Sequence, residues 1–326
     1  MKYNIQQLYD ANLPQRLNDF LNYLRTIKGK SENTIESYKL DLIMFFRFLK
    51  LYKGMVPGEI EFNDIEIKDI RDGDIKNISL TDLFAFISFV ENYRNNGSYA
   101  KARKVATLKS FFRFLQGKVK IINENPALEL ESPKISKRNP VYLTLDESKK
   151  LLSSIDGKFK ERDLCIVTMF LNCGLRLSEL CGINISNIKN DVLTVIGKGN
   201  KERTVYLNKA CIKTINDYLN VRKEIGEKIV HKDALFLSKN YTRINKRSVE
   251  MLVKKYIKKA GLDAEKYSPH KLRHTAATLM YKHGDVDIRS LQMILGHANI
   301  STTQIYTHVD SDRLREAVKS NPLSDE

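Results

Sequence analysis

Residues 123–140, NENPALELESPKISKRNP, carry three prolines and no apolar period. A long regular element is incompatible with that spacing. Each proline removes a backbone donor, and the residue before it is pushed out of the helical region. The second half of the stretch reads as an interdomain linker. A chain of 326 residues is also too long for one ordinary domain. The expectation is a domain over residues 1–130, a linker over 131–140 and a second domain over 141–326.

The first domain reads as helices. Leu17, Phe20, Leu21 and Leu24 share one face of a helix from about Leu13 to Ile27, with Pro14 suited to its first turn. A second begins near Asn33, a candidate cap with Glu36 three residues on, and carries Ile35, Tyr38, Leu42, Phe45 and Leu49. Residues 53–77 break the pattern with seven acidic residues loosely alternating with isoleucines and Phe62. This is an acidic connector with room for a short hairpin, expected to face away from a polyanion. A third helix spans about Thr81 to Tyr93. A fourth, from Ser98, presents Lys101, Arg103, Lys104, Lys109 and Arg113, five candidate phosphate contacts. Such contacts supply affinity and position rather than sequence information.

The second domain opens at Val141, with a capping box from Thr144 to Glu147. An apolar helix over 161–173 stops at Gly174. Residues 191–207 read as a hairpin with Lys198 between Gly197 and Gly199 in the turn, and ALFLS at 234–238 as a short strand. Cys165, Cys173, Cys181 and Cys211 form no C-x-x-C pair, and buried thiols of a reduced cytoplasm are the better reading. The net charge of +16 points to a polyanionic partner, nucleic acid before membrane surface. No apolar run approaches the ~18 residues of a spanning helix.

Chemistry concentrates in residues 268–310. Ser268-Pro269 suits a helix start, and His270 and Arg273 then share a face near the N-terminus, where an anion is favoured. His270 and His274 have the H-x-x-x-H spacing of a zinc pair, but Lys271 stands where a metalloprotease needs Glu, and no metal is expected. Leu295-Gly296-His297 ends a helix, and Ser301 to Gln304 reads as a capping box leading to Tyr306. Upstream, Arg176 and Glu179 are three residues apart, so the carboxylate can orient the guanidinium.

Five of these elements together resemble the tyrosine recombinase, or phage-integrase, family, most closely its Xer-type members. They are GLRLSEL with Arg176, GKGNKER with Lys198, HKLRH with His270 and Arg273, LGH with His297, and TTQIYTH with Tyr306, in that order. The resemblance implies a mainly α fold with a small β-sheet: a helical, SAM-like core-binding domain, then a mixed α/β catalytic domain with a C-terminal tail that docks on a neighbouring protomer. It implies metal-independent strand exchange on double-stranded DNA without a nucleotide cofactor. Arg176, Arg273, His270 and His297 would hold the phosphate, with Glu179 in support. Lys198 would act as general acid and Tyr306 as nucleophile, with His270 the candidate base. Four protomers would act on two DNA sites, all alike or with a paralogue, in the cytoplasm and without membrane contact. A type IB topoisomerase and a non-catalytic DNA-binding protein remain the rival readings.

Overall fold

The computed structural model describes residues 9–134, 140–197, 201–284, 286–297 and 299–309, with backbone alone for 307–309. The chain divides into two compact units, Met1–Lys137 and Arg138–Glu326.

The first unit is helical: α1 (Gln15–Thr26), α2 (Glu32–Tyr52), α3 (Asp72–Lys76), α4 (Leu80–Asn92) and α5 (Ser98–Phe114). The 3.6-residue spacing of large apolar groups puts Leu17, Phe20 and Leu24 of α1 into the core, with Phe45, Phe46 and Leu49 of α2. Phe20 meets Phe111 edge-on at 5.3 Å, and Phe45 meets Phe86 at 5.2 Å. Edge-to-face packing of this kind lets several rings fill one core without stacking in register. Ser31, not Asn33, precedes α2 as its cap residue.

Residues 53–77 form no hairpin. Phe62–Asp64 is a 3-10 turn, and α3 follows. Ile67, Ile70 and Ile75 reach into the same core, while Asp69 and Asp72 between them find cations. Lys50, itself buried, donates to both carboxylate oxygens of Asp69 at 2.8 Å, and Arg16 grips Asp72 at 2.6 and 2.8 Å. The connector is thus a packed strap whose charge is partly neutralised within the unit.

The basic face of α5 needs one correction. Lys104 is 3% exposed and donates through Nζ to Asp41 Oδ1 at 2.8 Å. Arg103 and Thr107 bind the other oxygen of Asp41. Lys104 therefore joins α5 to α2 inside the unit and is not a phosphate contact, because a lysine whose ammonium is buried on a carboxylate cannot also face solvent. Lys101 pairs with Glu91, Lys109 donates to the Leu128 carbonyl, and Arg103 and Arg113 are exposed.

The second unit is built on α7 (Lys160–Cys173), whose residues from Cys165 to Phe170 are all buried. A helix apolar on nearly every side belongs at a centre. Around it lie α6 (Leu145–Ser153), α8 (Leu177–Gly182), α9 (Lys209–Lys223), α10 (Lys246–Lys259), α11 (Pro269–His283) and α12 (Ile288–Leu295). Thr144 caps α6 reciprocally with Glu147. A small antiparallel sheet has the order β1 (Ile188–Lys189), β2 (Val192–Ile196), β3 (Glu202–Tyr206), with Val195 opposite Arg203. Leu193, Val195 and Val205 supply its buried face. ALFLS is not a strand: Ala234 and Leu237 make isolated bridges to Asn184 and Arg243, and Leu235 and Phe236 fill the core. The fold is mainly helical with a small sheet, as expected. The four cysteines are buried and free, with Cys173 and Cys211 sulfurs 3.6 Å apart.

Candidate active site

The site begins where α7 ends. Gly174 takes φ +57°, a left-handed turn that costs glycine nothing, and the chain reverses into α8. Arg176 is the residue just before α8, and Glu179 is in its first turn. The Glu179 carboxylate accepts from the Arg176 backbone N–H at 2.8 Å and from its Nη1 at 2.6 Å.

Glu179 is fully buried at its side chain and shared by further guanidiniums. Arg203 donates to it at 2.9 Å, and Arg273 Nη1 lies 3.9 Å away. Burial alone would raise this carboxyl, but hydrogen bonds from Arg203 and from Arg176 hold it below the usual carboxylate value. One buried anion thus sets the positions of three cations.

Arg273, at the start of the second turn of α11, is 4% exposed. It donates to the carbonyl of Gly174 at 2.5 Å and to that of Leu295 at 2.6 Å. Burial, then the neighbouring Arg176, lowers its pKa to about 10, which leaves it charged at neutral pH. Arg176 Nη2 donates to the Gly296 carbonyl at 2.8 Å. Gly296, at φ +62°, ends α12, and a Cβ there would stand 2.6 Å from Arg203 Cδ, so the close approach itself demands glycine.

His297 follows, with Nδ1 3.0 Å from Thr303 Oγ1. Burial, then Arg273 and Arg176, lowers its pKa to about 4. His270 is exposed as a whole residue, and partial burial, then Lys271 and Arg273 nearby, lowers its pKa as well. Arg176, His270, Arg273 and His297 all line one open cavity of about 720 Å³, with Lys246 and Lys254 on its wall.

Lys198 lies outside the described residues. The strand end that leads to it is described: a Cβ on Gly197 would lie 3.6 Å from Glu179 Oε1 and 3.8 Å from Arg176 Nη1. The hairpin therefore starts its turn against the arginine cluster.

Tyr306 sits in a 3-10 turn, Gln304–Val309, and is 1% exposed. The preceding 3-10 turn is capped by Asn299, not by Ser301. The phenol packs with Ala277, Leu291 and Leu295, and its oxygen is 2.7 Å from His274 Nδ1. Burial raises its pKa to about 12, against a lowering by Arg273. His270, the candidate base, meets Tyr306 through His274, whose Nε2 is 3.0 Å from His270 Nε2.

Two residues here escaped the sequence reading. Arg203 closes the GKGNKER segment, and its cross-strand position was the signal that could have found it. His274 shares a helix face with His270, four residues apart, and was weighed only as a metal ligand.

Residues 141–313 match the phage integrase family, and residues 17–56 match the phage integrase N-terminal SAM-like domain. The chain is 60% identical over 313 residues to Tyrosine recombinase XerC of Caldanaerobacter subterraneus subsp. tengcongensis, covering 96% of this chain and 88% of that relative. It is 34% identical over 305 residues to Tyrosine recombinase XerD of Proteus mirabilis, covering 92% and 90%. Its fold resembles that of the XerH site-specific recombinase bound to palindromic difH substrate in a post-cleavage complex. There the TM-score is 0.70 at 23% identity, with 97% of this chain and 91% of that one covered. The Tn1549 transposon integrase in complex with circular intermediate DNA has a TM-score of 0.69 at 20% identity, covering 94% and 99%.

Proposed function

The chain belongs to the phage integrase family and is a Xer-like tyrosine recombinase, and from that premise we propose that Tyr306 cuts and rejoins DNA at a specific duplex site. The observation that carries this reading is the convergence of Arg176, Arg273, His270 and His297 on one cavity, with Tyr306 tied to the same helix as two of them.

The phenolic oxygen attacks the scissile phosphorus, and the bond to the 5′ oxygen breaks. Negative charge grows on the non-bridging oxygens, where Arg176 and Arg273 offset it. Each guanidinium offers planar paired donors that match the phosphate oxygens. The phenol proton must leave, since an unperturbed tyrosine has a pKa of about 10. His270, held neutral and facing the cavity, is suited to take it once the tyrosine is presented. Lys198 protonates the departing 5′ oxygen as general acid.

The product is a 3′-phosphotyrosyl link that conserves the bond energy, so no nucleotide cofactor is required. A 5′-hydroxyl from another strand reseals it. A second exchange passes through a Holliday junction, with four protomers on two sites, all alike or shared with a paralogue. The excess of 55 lysines and arginines over 39 acidic residues supplies sequence-independent affinity for the duplex in the cytoplasm. The docking tail at the C-terminal end, beyond residue 309, lies outside the described residues.

Incubation with a nicked suicide duplex carrying the cognate site tests this. Wild type is expected to give an adduct that survives denaturation, and Tyr306→Phe none. Adduct from the phenylalanine variant would remove Tyr306 from its role. Plasmid relaxation without strand exchange would favour a topoisomerase.

A further inference from the structure

The nucleophile and the cavity are not in contact in this structure. The residues lining the cavity include Arg176, His270, Arg273, His297 and Thr302, but not Tyr306. The Tyr306 ring is seated instead among Ala277, Leu291 and Leu295, almost wholly out of solvent. What holds its oxygen there is an imidazole with no part in the proposed chemistry.

Tyr306 Oη lies 2.7 Å from His274 Nδ1, and His274 Nε2 lies 3.0 Å from His270 Nε2. Burial raises the phenol, and burial together with His270, Lys271 and Arg273 lowers His274 to about 3, so the proton stays on oxygen and the imidazole stays neutral. Whichever nitrogen carries the hydrogen of His274, both are engaged, one by the phenol and one by His270 Nε2. One side chain engages both the nucleophile and its candidate base. At 1% exposure the phenol is covered from solvent while it keeps that partner.

Resting on the reading of Tyr306 as nucleophile, we propose that His274 is a positioning residue that keeps Tyr306 a withdrawn, neutral phenol in the DNA-free protein and occupies His270 Nε2 at the same time. Presentation of the tyrosine breaks its bond to His274 and leaves that imidazole with one partner in place of two, His270. Free enzyme is thereby kept from attacking phosphodiesters it meets in passing.

The test is nitration of tyrosines in the DNA-free, full-length protein with tetranitromethane, mapped by peptide mass spectrometry. Exposed Tyr206 and buried Tyr256 serve as internal references. In wild type, Tyr306 is expected to react far more slowly than Tyr206. His274→Ala is expected to raise Tyr306 labelling about fivefold, the shift in population from losing one net hydrogen bond, with Tyr256 still protected. His274→Asn places a polar atom near the position of Nδ1 and is expected to restore most of the protection. Tyr306 labelling in His274→Ala no faster than in wild type overturns the proposal. So does His274→Asn reacting like exposed Tyr206, and this arm decides the matter where the alanine variant is loosened throughout. Adduct formation by Tyr306→Phe is scored separately on the nicked duplex. An adduct there removes the nucleophile assignment and leaves the labelling result standing.

Discussion

Arg203 donates through Nη2 to Glu179 Oε2 at 2.9 Å, joining the third strand of the sheet to the first turn of α8. The carboxylate is fully buried and the guanidinium nearly so. Removing one partner of such a pair leaves the other charge uncompensated. Glu179→Ala is expected to destabilise the second unit by about 3 kcal/mol. It is also expected to slow adduct formation about 100-fold by letting Arg176 shift. Chemical denaturation and single-turnover cleavage check the two effects. Cleavage at the wild-type rate would show that Arg176 does not need Glu179.

Loss of either cavity arginine separates chemistry from affinity. Arg176→Ala and Arg273→Lys are each expected to reduce cleavage by about 100-fold or more. Gel-shift affinity should stay within about threefold of wild type, because binding is spread over many basic groups. Lysine at 273 keeps the charge but cannot donate to the Gly174 and Leu295 carbonyls at once. Complete loss of binding in either variant would contradict the division.

Two basic residues of α5 should part company. Lys104→Ala removes a buried partner of Asp41 and is expected to lower stability by about 3 kcal/mol, with the salt dependence of DNA binding unchanged. Arg113→Ala leaves stability alone and is expected to reduce the slope of log affinity against log salt by about 1. Denaturation curves and binding isotherms at several salt concentrations distinguish them.

Acid should weaken the fold through its site. His274 and His297 have pKa values lowered to about 3 and about 4, whereas an unfolded histidine titrates near 6.5. Between those values the unfolded chain binds protons that the folded chain refuses, so stability is greatest above about pH 6.5 and declines as pH falls toward 4. Thermal melts across this range check it. His297→Asn is expected to show a shallower decline.

The periodic apolar positions of α1, α2 and α7 and the caps at Thr144 and Gly174 were legible in the sequence, because each is a local signal read within one or two helical turns. So was the clustering of motifs around Arg176 and His270. Some misreadings are small local shifts, as at the caps Ser31 and Asn299, but the consequential ones are long-range. Nothing near Lys104 reveals Asp41, sixty-three positions earlier, as its partner. The β-rich composition of ALFLS is satisfied by burial against helices rather than by a ladder. The contact from His274 to Tyr306 spans thirty-two positions and depends on how α12 folds back.

The carbonyls of Gly174, Leu295 and Gly296 anchor Arg273 and Arg176 through contacts made wholly within the chain. Long cationic side chains ordinarily lose rotamer freedom when a ligand arrives, each at a cost of up to about 2 kcal/mol. Here that ordering belongs to folding. The incoming phosphate meets guanidinium planes already set in orientation, and the electrostatic work of the transition state begins without rearrangement of its donors.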